Sequence, residues 1–345
     1  MAYTTINKST DYFNTKLWAG NGSSQALTGV GHQTDMVWIK SRTDTRKHNM
    51  YDVVRGVQKR IVPNDTPAED TVPGVTAFGT DGFTVGSETD TNGGSRNFVG
   101  WSWKAGAGQG SSNTDGSINT TYTSVNTTAG FSISTYTGTG SNATIGHGLG
   151  VAPKFIIVKK RSGAVSWAVQ TSTGAGYEMN LNNTEAQTST SNYWNSTEPT
   201  SSVFSIGTNG IVNESGATYV AYCFAEKTGY SKLGSYTGNG NADGTFVYTG
   251  FKPSWILRKC ITSGTAENWL ITDNKRPGYN VTQLGLFPNA TNAEDTAAHN
   301  AVDMLSNGFK MRSTDNRTND SNKTYIYMAF GQSLVGSNNI PCTAR

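Results

Sequence analysis

The feature of this sequence that most constrains its fold is a pattern that recurs three times. Each copy opens with an aromatic residue, a small residue, Gly, a variable residue and Gly, in the segments Trp18–Gly22, Tyr136–Gly140 and Tyr236–Gly240. About twenty residues later an apolar segment ends in Lys, at Lys40, Lys159 and Lys259, and a Gly stands five residues before each segment, at Gly31, Gly150 and Gly250. Because Gly-rich strings mark turns between strands, each copy predicts short strands joined by turns.

The second half of each copy carries two further markers. An aromatic residue or Met follows the apolar segment, at Met50, Trp167 and Trp269, and then an Asp-Gly or Asn-Gly pair predicts a tight hairpin at Gly82, Gly210 and Gly308. The last strand alternates large apolar with mostly small residues, with the large ones at Val99, Trp101, Trp103, then Val220, Tyr222, Phe224, then Ile326, Met328, Phe330. Alternation with period two predicts a strand with one buried face.

The spacing of these markers defines the predicted domains. The second and third copies stay 100 residues apart, at 136 and 236, 150 and 250, and 159 and 259, whereas the first lies about 119 residues ahead of the second. Much of that excess is a Gly/Ser/Asn/Thr stretch, 106–128, which reads as a linker plus a leading strand. We therefore predict an N-terminal segment 1–11, repeat 1 (12–108), a linker 109–125, repeat 2 (126–229), repeat 3 (230–333) and a tail 334–345.

Composition supports short strands over long helices. The chain holds 40 Gly but only 15% charged residues, and its 10% aromatic residues supply area for packed cores. We predict an all-β protein made of three tandem homologous antiparallel β-sandwiches, jelly-roll-like, with at most short helices. The segment 293–305 is the best helix candidate, because its Ala and Leu residues lie at loose helical spacing.

Several segments resemble a family of repeat proteins encoded by marine tailed phages. They are the opening 1–18, the run 29–42, the Val-Arg-Gly segment 53–57, and above all 129–159, which contains Gly-Phe-Ser-Ile, Tyr-Thr-Gly-Thr-Gly and Gly-His-Gly-Leu-Gly-Val-Ala-Pro-Lys. The resemblance covers nearly the whole chain. It implies a virion structural or tail-fibre-like protein and brings no active site with it. Repeat 3 departs from the Gly-His-Gly-Leu-Gly string, which argues against a shared site there.

A search for catalytic or metal-binding patterns yields none, so we predict no catalytic residue, no cofactor and no metal site. His147, between two Gly residues, is interpreted as a turn residue and not as a base or ligand. The acids Asp273, Asp295, Asp303 and Asp315 would suit a polysaccharide depolymerase only as a paired set, and we interpret them as solvated. Cys223 aligns with small residues of the last strand and is predicted to be a packing cysteine.

Two sets of recurrent residues leave alternatives open. The three lysines, Lys40, Lys159 and Lys259, are either functional or, as we favour, strand-end charges that prevent sheet edges from pairing with neighbours. The recurrent aromatics either pack in cores, which we favour, or stack on sugar rings; the candidates for glycan contact are Trp18, Trp167 and Trp269. The remaining recurrent Gly residues are interpreted as structural.

Charge and hydropathy limit the partners. The net charge is +3 without a basic stripe, so we expect no nucleic-acid partner, and there is neither an apolar run long enough for membrane insertion nor a signal peptide. We expect a non-enzymatic phage protein, made in the host cytoplasm and located on the virion, that assembles as a homo-oligomer, a trimer, with other virion proteins. The first hypothesis is a tail fibre or fibre-associated protein that binds host surface polysaccharide. The alternatives are a capsid decoration or head-fibre protein and, with little weight, a depolymerase.

Overall fold

The computed structural model describes residues 4–262 and 264–335, and it is all-β with antiparallel sheets, which confirms the predicted fold class. Repeat 1 contains β1 (Phe13–Ala19), β2 (Gln25–Thr28), β3 (Met36–Ser41), β4 (Asn49–Asp52), β5 (Lys59–Arg60), β6 (Asp70–Thr71), β7 (Val75–Gly79), β8 (Gly82–Val85) and β9 (Asn97–Trp103). Residues 336–345, which include Cys342 and most of the predicted tail, lie outside the described part, as do residues 1–3.

The other two repeats contain similar sets of strands. The segment before and within repeat 2 forms β10 (Tyr122–Asn126), β11 (Phe131–Thr137), β12 (Ala143–Gly146), β13 (Phe155–Lys160), β14 (Ala168–Thr171), β15 (Tyr177–Glu178), β16 (Thr188–Ser189), β17 (Val203–Ile206) and β18 (Thr218–Phe224). Repeat 3 contains β19 (Ser231–Thr237), β20 (Phe246–Tyr248), β21 (Lys252–Cys260), β22 (Leu270–Asp273), β23 (Val302–Leu305), β24 (Gly308–Met311) and β25 (Thr324–Gln332).

Among residues 4–262 and 264–335, helical structure is limited to single turns. These are α1 (Thr89–Asn92), α2 (Gly210–Asn213) and two 3₁₀ turns, Ser9–Asp11 and Ala298–Asn300. The predicted helix over 293–305 is therefore wrong: only its middle forms a 3₁₀ turn, and its end is strand β23. Val302 and Met304 pack in the core of repeat 3, and this tertiary burial outweighs the helix propensity of the Ala residues.

The strand order of the large sheet is the same in the three repeats. It is β1-β9-β3-β4 in repeat 1, β11-β18-β13-β14 in repeat 2, where β10 adds a fifth strand at the edge, and β19-β25-β21-β22 in repeat 3. A small outer sheet accompanies each large sheet, namely β2-β8-β7, β12-β17 and β20-β24-β23. The stretch 109–125, predicted to be a linker, lies along repeat 2, where Ile118 bridges Ile145 of β12.

Every large sheet is buried on both faces. Side chains on one face pack against the small sheet of the same repeat, in three separate clusters. Side chains on the other face of all three large sheets meet in one shared cluster, in which Trp103 of repeat 1 lies 5.5 Å from Trp255 of repeat 3 and 6.3 Å from Phe224 of repeat 2. The three sandwiches therefore surround a common central core and are not a string of independent units.

A loop from each repeat packs against the strand of another repeat that carries the recurrent Lys at or near its end, which is β3, β13 or β21. The loop of repeat 1 packs on repeat 2, that of repeat 2 on repeat 3, and that of repeat 3 on repeat 1. The contacts include hydrogen bonds from Lys159 Nζ to Thr66 O (2.9 Å), from Lys259 Nζ to Thr184 O (2.8 Å) and from Arg46 N to Thr291 O (2.9 Å). The last of these joins repeat 3 back to repeat 1. The chain therefore closes into a ring of three repeats.

The three recurrent lysines lie on buried interior strands, so their interpretation as charges that protect sheet edges is wrong. Lys159 and Lys259 donate across interfaces, whereas both acceptors of Lys40 lie in its own repeat. Lys40, Lys159 and Lys259 lie on interior strands, each flanked on both sides, and all three are fully buried. Each ammonium donates to two backbone carbonyls; for Lys259 they are those of Thr184 and Glu267. Because side chains alternate between the two faces of a strand, these lysines point to the face that carries the shared cluster. Backbone carbonyls of loops lie there and need hydrogen-bond donors.

Two of the three interfaces contain a buried charge network. Between repeats 1 and 2, Asp52 and Arg55 pair at 2.5 Å, and Glu69 binds both Arg55 (3.0 Å) and Arg161 of repeat 2 (2.9 Å). Tyr222 of repeat 2 donates its hydroxyl to the Asp52 carboxylate at 2.6 Å. Burial alone would raise the pKa of Glu69, but its hydrogen bonds and the charges of the two Arg residues lower it.

The interface between repeats 3 and 1 contains an equivalent network, whereas the interface between repeats 2 and 3 has uncharged residues in its place. The corresponding groups at the 3/1 interface are Asp273, Arg276, Glu294, Arg42 and Trp101. The same positions at the 2/3 interface hold only uncharged residues, Thr171, Gly174, Gln187, Ile261 and Met328. A buried charge without its partner costs several kcal/mol, so the set is stable only when all of it is present or all of it is replaced.

Hydrogen bonds of a buried Asn join the opening turn of each repeat to the segment that precedes its last strand. Asn92, Asn213 and Asn319 are fully buried, and each accepts a backbone N–H from the Gly-x-Gly turn and donates to carbonyls of nearby loops. Asn209 caps the α2 turn that ends at Asn213. Gly210 therefore begins a helical turn, and its assignment to the same hairpin position as Gly82 and Gly308 is wrong; Val203 occupies that position in repeat 2.

A second alignment error concerns the residue before the fourth strand. The backbone N–H groups of Trp167 and Trp269 bind the side chains of Asn182 and Asn289, and in repeat 1 the equivalent bond comes from His48 to Asn64. His48, and not Met50, therefore corresponds to the two Trp residues. Met50 lies two positions later, within β4.

We expect Asp52→Asn to destabilise the protein by ~3 kcal/mol, because it removes the fully buried carboxylate that pairs with Arg55 and leaves only Glu69 to balance that buried charge. The free energy of unfolding from urea titration measures the effect. The control is Asp70→Asn, whose partner Arg60 lies in an exposed pair, and its cost should stay under about 1 kcal/mol. Equal effects of the two substitutions would contradict the account of the interface.

The buried lysines also predict a pH dependence. Burial lowers the pKa of Lys40, Lys159 and Lys259 to about 8, so between pH 8 and 9 the unfolded chain binds more protons than the folded chain. The free energy of unfolding should then rise with pH in this window, by at most ~1.4 kcal/mol per pH unit for each lysine. Lys159→Met should reduce the slope by about a third, whereas Lys323→Met at a half-buried site should leave it unchanged. A slope of zero in the wild type would refute the prediction.

Candidate functional site

Exposed aromatic side chains are concentrated on repeat 3. Tyr279 is 86% exposed, Tyr248 58% and Phe246 44%, whereas the most exposed aromatic residue described elsewhere, Tyr177, reaches 38%. Large apolar side chains in water reduce stability without a compensating gain inside the fold, and clusters of them mark binding surfaces. Repeat 3 is therefore the part of the described chain at which we place a candidate site.

The most exposed of these residues, Tyr279, borders a groove with a volume of about 760 Å³. The groove lies between the loop that follows β22 and the start of β21, and it is lined by Lys252, Asn274, Lys275, Gly278, Tyr279, Asn280, Thr282 and Met304. We call it the Tyr279 groove. Its polar and aromatic groups come from three separate segments of repeat 3, so it exists only in the folded chain.

Hydrogen bonds fix the loop on both sides of Tyr279. Before it, the Asp273 carboxylate accepts the backbone N–H groups of Lys275 (3.0 Å) and Arg276 (3.1 Å). After it, the Asn280 side chain donates to the Met304 carbonyl and accepts the Met304 N–H, both at 3.0 Å. Gly278, with φ +77°, makes the turn between them. The Tyr279 ring is thus held outside the protein by an anchored backbone.

The lining of the Tyr279 groove is positively charged. Lys252 and Lys275 are its two ionised groups, and no Asp or Glu is among the lining residues. The nearest acid along the chain, Asp273, is fully buried and pairs with Arg276 at 2.7 Å. Arrangements of this kind attract anionic groups.

Phe246 and Tyr248 form a second aromatic surface on the small outer sheet. They lie on the outward face of β20, and Val247 between them points into the core. A Cβ added at Gly308, opposite Tyr248, would lie 3.0 Å from the Phe246 ring and 2.1 Å from Val247 O, so only Gly lets the ring lie against the sheet. Tyr248 also borders a neighbouring groove, whose lining includes Asn307.

The corresponding positions of the other repeats lack these aromatics. Leu27, Ile145 and Val247 occupy the same inward position opposite a Phe of the neighbouring strand. Their outward neighbours are Ala26 and Thr28 in repeat 1 and Thr144 and Gly146 in repeat 2. The aromatic surface is therefore specific to repeat 3.

The tryptophans selected from the sequence as glycan contacts are buried, which excludes that role for them. Trp18 is 7% exposed and stacks on Phe98 in the core of repeat 1. Trp167 and Trp269 have no exposed surface, and their indole N–H groups donate to loop carbonyls of the preceding repeat, those of Val62 and Asn180. Sequence alone does not distinguish a ring that packs between repeats from one that faces solvent.

Other sequence-selected residues have structural roles. Gly31, Gly150 and Gly250 have φ of +93°, +72° and +81°, which is the left-handed conformation that the predicted turns require. The His147 ring accepts the N–H of Leu149 and is buried in a turn, as predicted. Cys223 is buried in the core of repeat 2, also as predicted, and burial raises the pKa of its thiol.

The sequence analysis missed Tyr279, although a signal for it exists. The loop after the fourth strand contains Gly followed by an exposed apolar residue in each repeat, at Val57, Tyr177 and Tyr279. Aligning the repeats on the fourth strand would have revealed this recurrence. It would not have revealed that Tyr279 projects furthest or that two lysines lie beside it.

Within residues 4–262 and 264–335, no group of three or more His, Cys, Asp or Glu side chains could hold a metal ion. The helices there are too short to span a membrane.

Residues 8–333 fit a family model described as a domain of unknown function, DUF7483. No curated protein matches the chain, and no solved structure matches it. Because the family model covers nearly the whole chain, this protein belongs to the DUF7483 family.

Proposed function

We propose that this protein is a non-catalytic structural component of a tailed-phage particle, displayed on the particle surface, where it attaches to host surface glycan through repeat 3. The observation that carries the glycan part of the proposal is the concentration of exposed Phe246, Tyr248 and Tyr279 beside open grooves on an otherwise closed body. The phage part rests on the resemblance of the sequence to phage repeat proteins.

The chemistry of these side chains suits sugars. An aromatic ring packs against the C–H face of a pyranose, and the Tyr hydroxyl and nearby amides bond to the sugar hydroxyls. A few exposed rings give weak binding for one chain. Several copies on one particle, in the proposed homotrimer or a larger assembly with other virion proteins, would gain avidity without any single strong site.

A second candidate is a capsid decoration protein that covers or reinforces the shell. The closed ring favours it, because the three repeats share one buried core and pack as a single unit, which suits a protein that works through contact area. Quantitative mass spectrometry of purified particles separates the two candidates. A copy number near that of the major shell protein would assign decoration, a small number matching the symmetry of the tail would assign a fibre, and absence from particles would refute both.

Removing the exposed rings should weaken attachment of the purified protein to host cells. We expect the double substitution Phe246→Ala, Tyr248→Ala and the single substitution Tyr279→Ala each to lower cell binding about tenfold, since each removes stacking area. The matched control is Tyr122→Ala, a 37% exposed ring outside repeat 3, which should bind like the wild type. Unchanged binding of all three variants, with melting temperatures intact, would refute attachment through repeat 3.

A further inference from the structure

Strand β20 lies at one edge of the small outer sheet of repeat 3, and its outer side has no neighbouring strand. We propose that this edge pairs antiparallel with the same edge of a second copy of the chain, so that two small sheets join into one continuous sheet. This inference goes beyond the proposed function, because it concerns a contact between copies and requires no glycan. The contact can form a dimer or link two larger assemblies.

The hydrogen bonds of β20 show which of its backbone groups face away from the sheet. On the side of β24, Thr245 O accepts a backbone N–H and Thr249 N donates to a backbone carbonyl, both at 3.0 Å. Successive residues of an antiparallel pair direct their backbone groups to opposite sides, so the N–H and C=O groups of Phe246 and Tyr248 point outwards. In the described part of the chain, no hydrogen bond reaches these groups.

The same edge already accepts a backbone segment in repeat 2. Residues 117–118 lie along β12 there, with Ile118 N donating to Thr144 O at 3.1 Å and Thr144 N donating to Ser117 Oγ at 2.9 Å. Thr144 stands at the position of Phe246, because Ile145 and Val247 occupy the same inward position. An added strand is therefore compatible with this sheet, and repeat 3 presents the edge without one.

The edge of β20 also lacks the protection that sheet edges commonly have. Exposed edges are often protected by Lys, by Pro or by a covering segment. In repeat 1 the ammonium of Lys16 caps the edge of β2 by donating to Thr28 O at 2.6 Å, and Thr28 stands at the position of Tyr248. The sequence of β20 is Phe-Val-Tyr, without charge or Pro. Two such edges therefore meet without repulsion between like charges.

Self-pairing is complementary when the two-fold axis passes beside Val247. Val247 then lies opposite the same residue of the second copy, and Phe246 of each copy lies opposite Tyr248 of the other. Because both residues direct their N–H and C=O groups outwards, each of these pairs exchanges two hydrogen bonds. Their rings lie on one face as directly opposite neighbours, and aromatic neighbours of this kind stabilise strand pairing.

The contact is small, so its affinity should be low. Each copy contributes a strand of 3 residues, which buries far less than the roughly 1,000 Å² of stable complexes. We expect a Kd on the order of 100 µM, which a particle that carries many copies would offset by high local concentration. Pairing also places the Phe246 and Tyr248 rings of both copies side by side on the outer face of the joined sheet. The exposed aromatic surface is thereby doubled.

Sedimentation of the full chain tests the inference. The weight-average mass is measured by analytical ultracentrifugation at concentrations from about 5 µM to about 500 µM, which bracket the expected Kd. We expect the mass to rise towards twice its low-concentration value. A mass that stays constant over this range overturns the inference.

Two substitutions at one position separate strand pairing from the contribution of the ring. Tyr248→Ala removes the ring and keeps the outward N–H, and it should weaken the pairing about fivefold. Tyr248→Pro also removes that N–H, which the sheet of its own chain does not use, and should weaken the pairing at least about tenfold more. The control Ala26→Pro makes the same backbone change on the edge of β2 and should leave the mass curve unchanged.

The variants are compared at equal melting temperatures, which excludes loss of fold. If Tyr248→Pro weakens self-association no more than Tyr248→Ala, the edge does not pair through its backbone and the inference is overturned. Self-association that neither variant changes belongs to another surface and overturns it as well. Because no glycan is present in these measurements, each of these results leaves the proposed attachment to host cells to its own test.

Discussion

Burial of each large sheet on both faces is the constraint on which the rest of the structure depends. One face packs on the small sheet of its own repeat, and the other meets the remaining two large sheets in the shared aromatic cluster. Rings from different repeats touch there, for example Phe13 and Phe330 with centroids 5.2 Å apart. A single repeat would expose its central face to water, so the hydrophobic effect favours the closed set of three over any part of it. Strands such as β3 are consequently buried along their full length.

The contacts around this core include one feature that all three repeats share and one that differs between interfaces. The shared feature is the buried lysine at or near the end of β3, β13 and β21, which donates to backbone carbonyls that would otherwise lack partners. The feature that differs is the charge network, which is present at two interfaces and replaced at the third by uncharged residues such as Ile261 and Met328. Since the cluster and the lysines already hold the ring together, the networks are dispensable as complete sets but not in part. The outward positions of the small sheet and the outer loop tip do not take part in these contacts, and there repeat 3 carries Phe246 and Tyr248 on β20 and Tyr279 on the loop after β22.

Much of the fold was predictable because local rules and tertiary packing agree. Period-two alternation located the last strand of each repeat, and Gly at positive φ located turns such as those at Gly31 and Gly150. Predictions failed where packing outweighed local preference: the end of segment 293–305 forms strand β23, and Gly210 joined a helical turn. The candidate site was less predictable than the fold. Exposure separates Tyr279 from the buried Trp167, yet both are large aromatic residues after a Gly-containing stretch, and composition treats them alike.

The sequence by itself determined that this chain forms antiparallel strands, that the strands fall into three similar sets, and that the strands are joined by glycine turns, because these properties depend on side-chain periodicity and on φ of single residues. Only the tertiary structure decided that the three sets close into a ring, that Lys40, Lys159 and Lys259 are fully buried, and that Tyr279 borders a groove on repeat 3. These properties depend on which surfaces meet after residues as far apart as Arg42 and Glu294 come together, and contact between distant segments leaves no local periodicity to read.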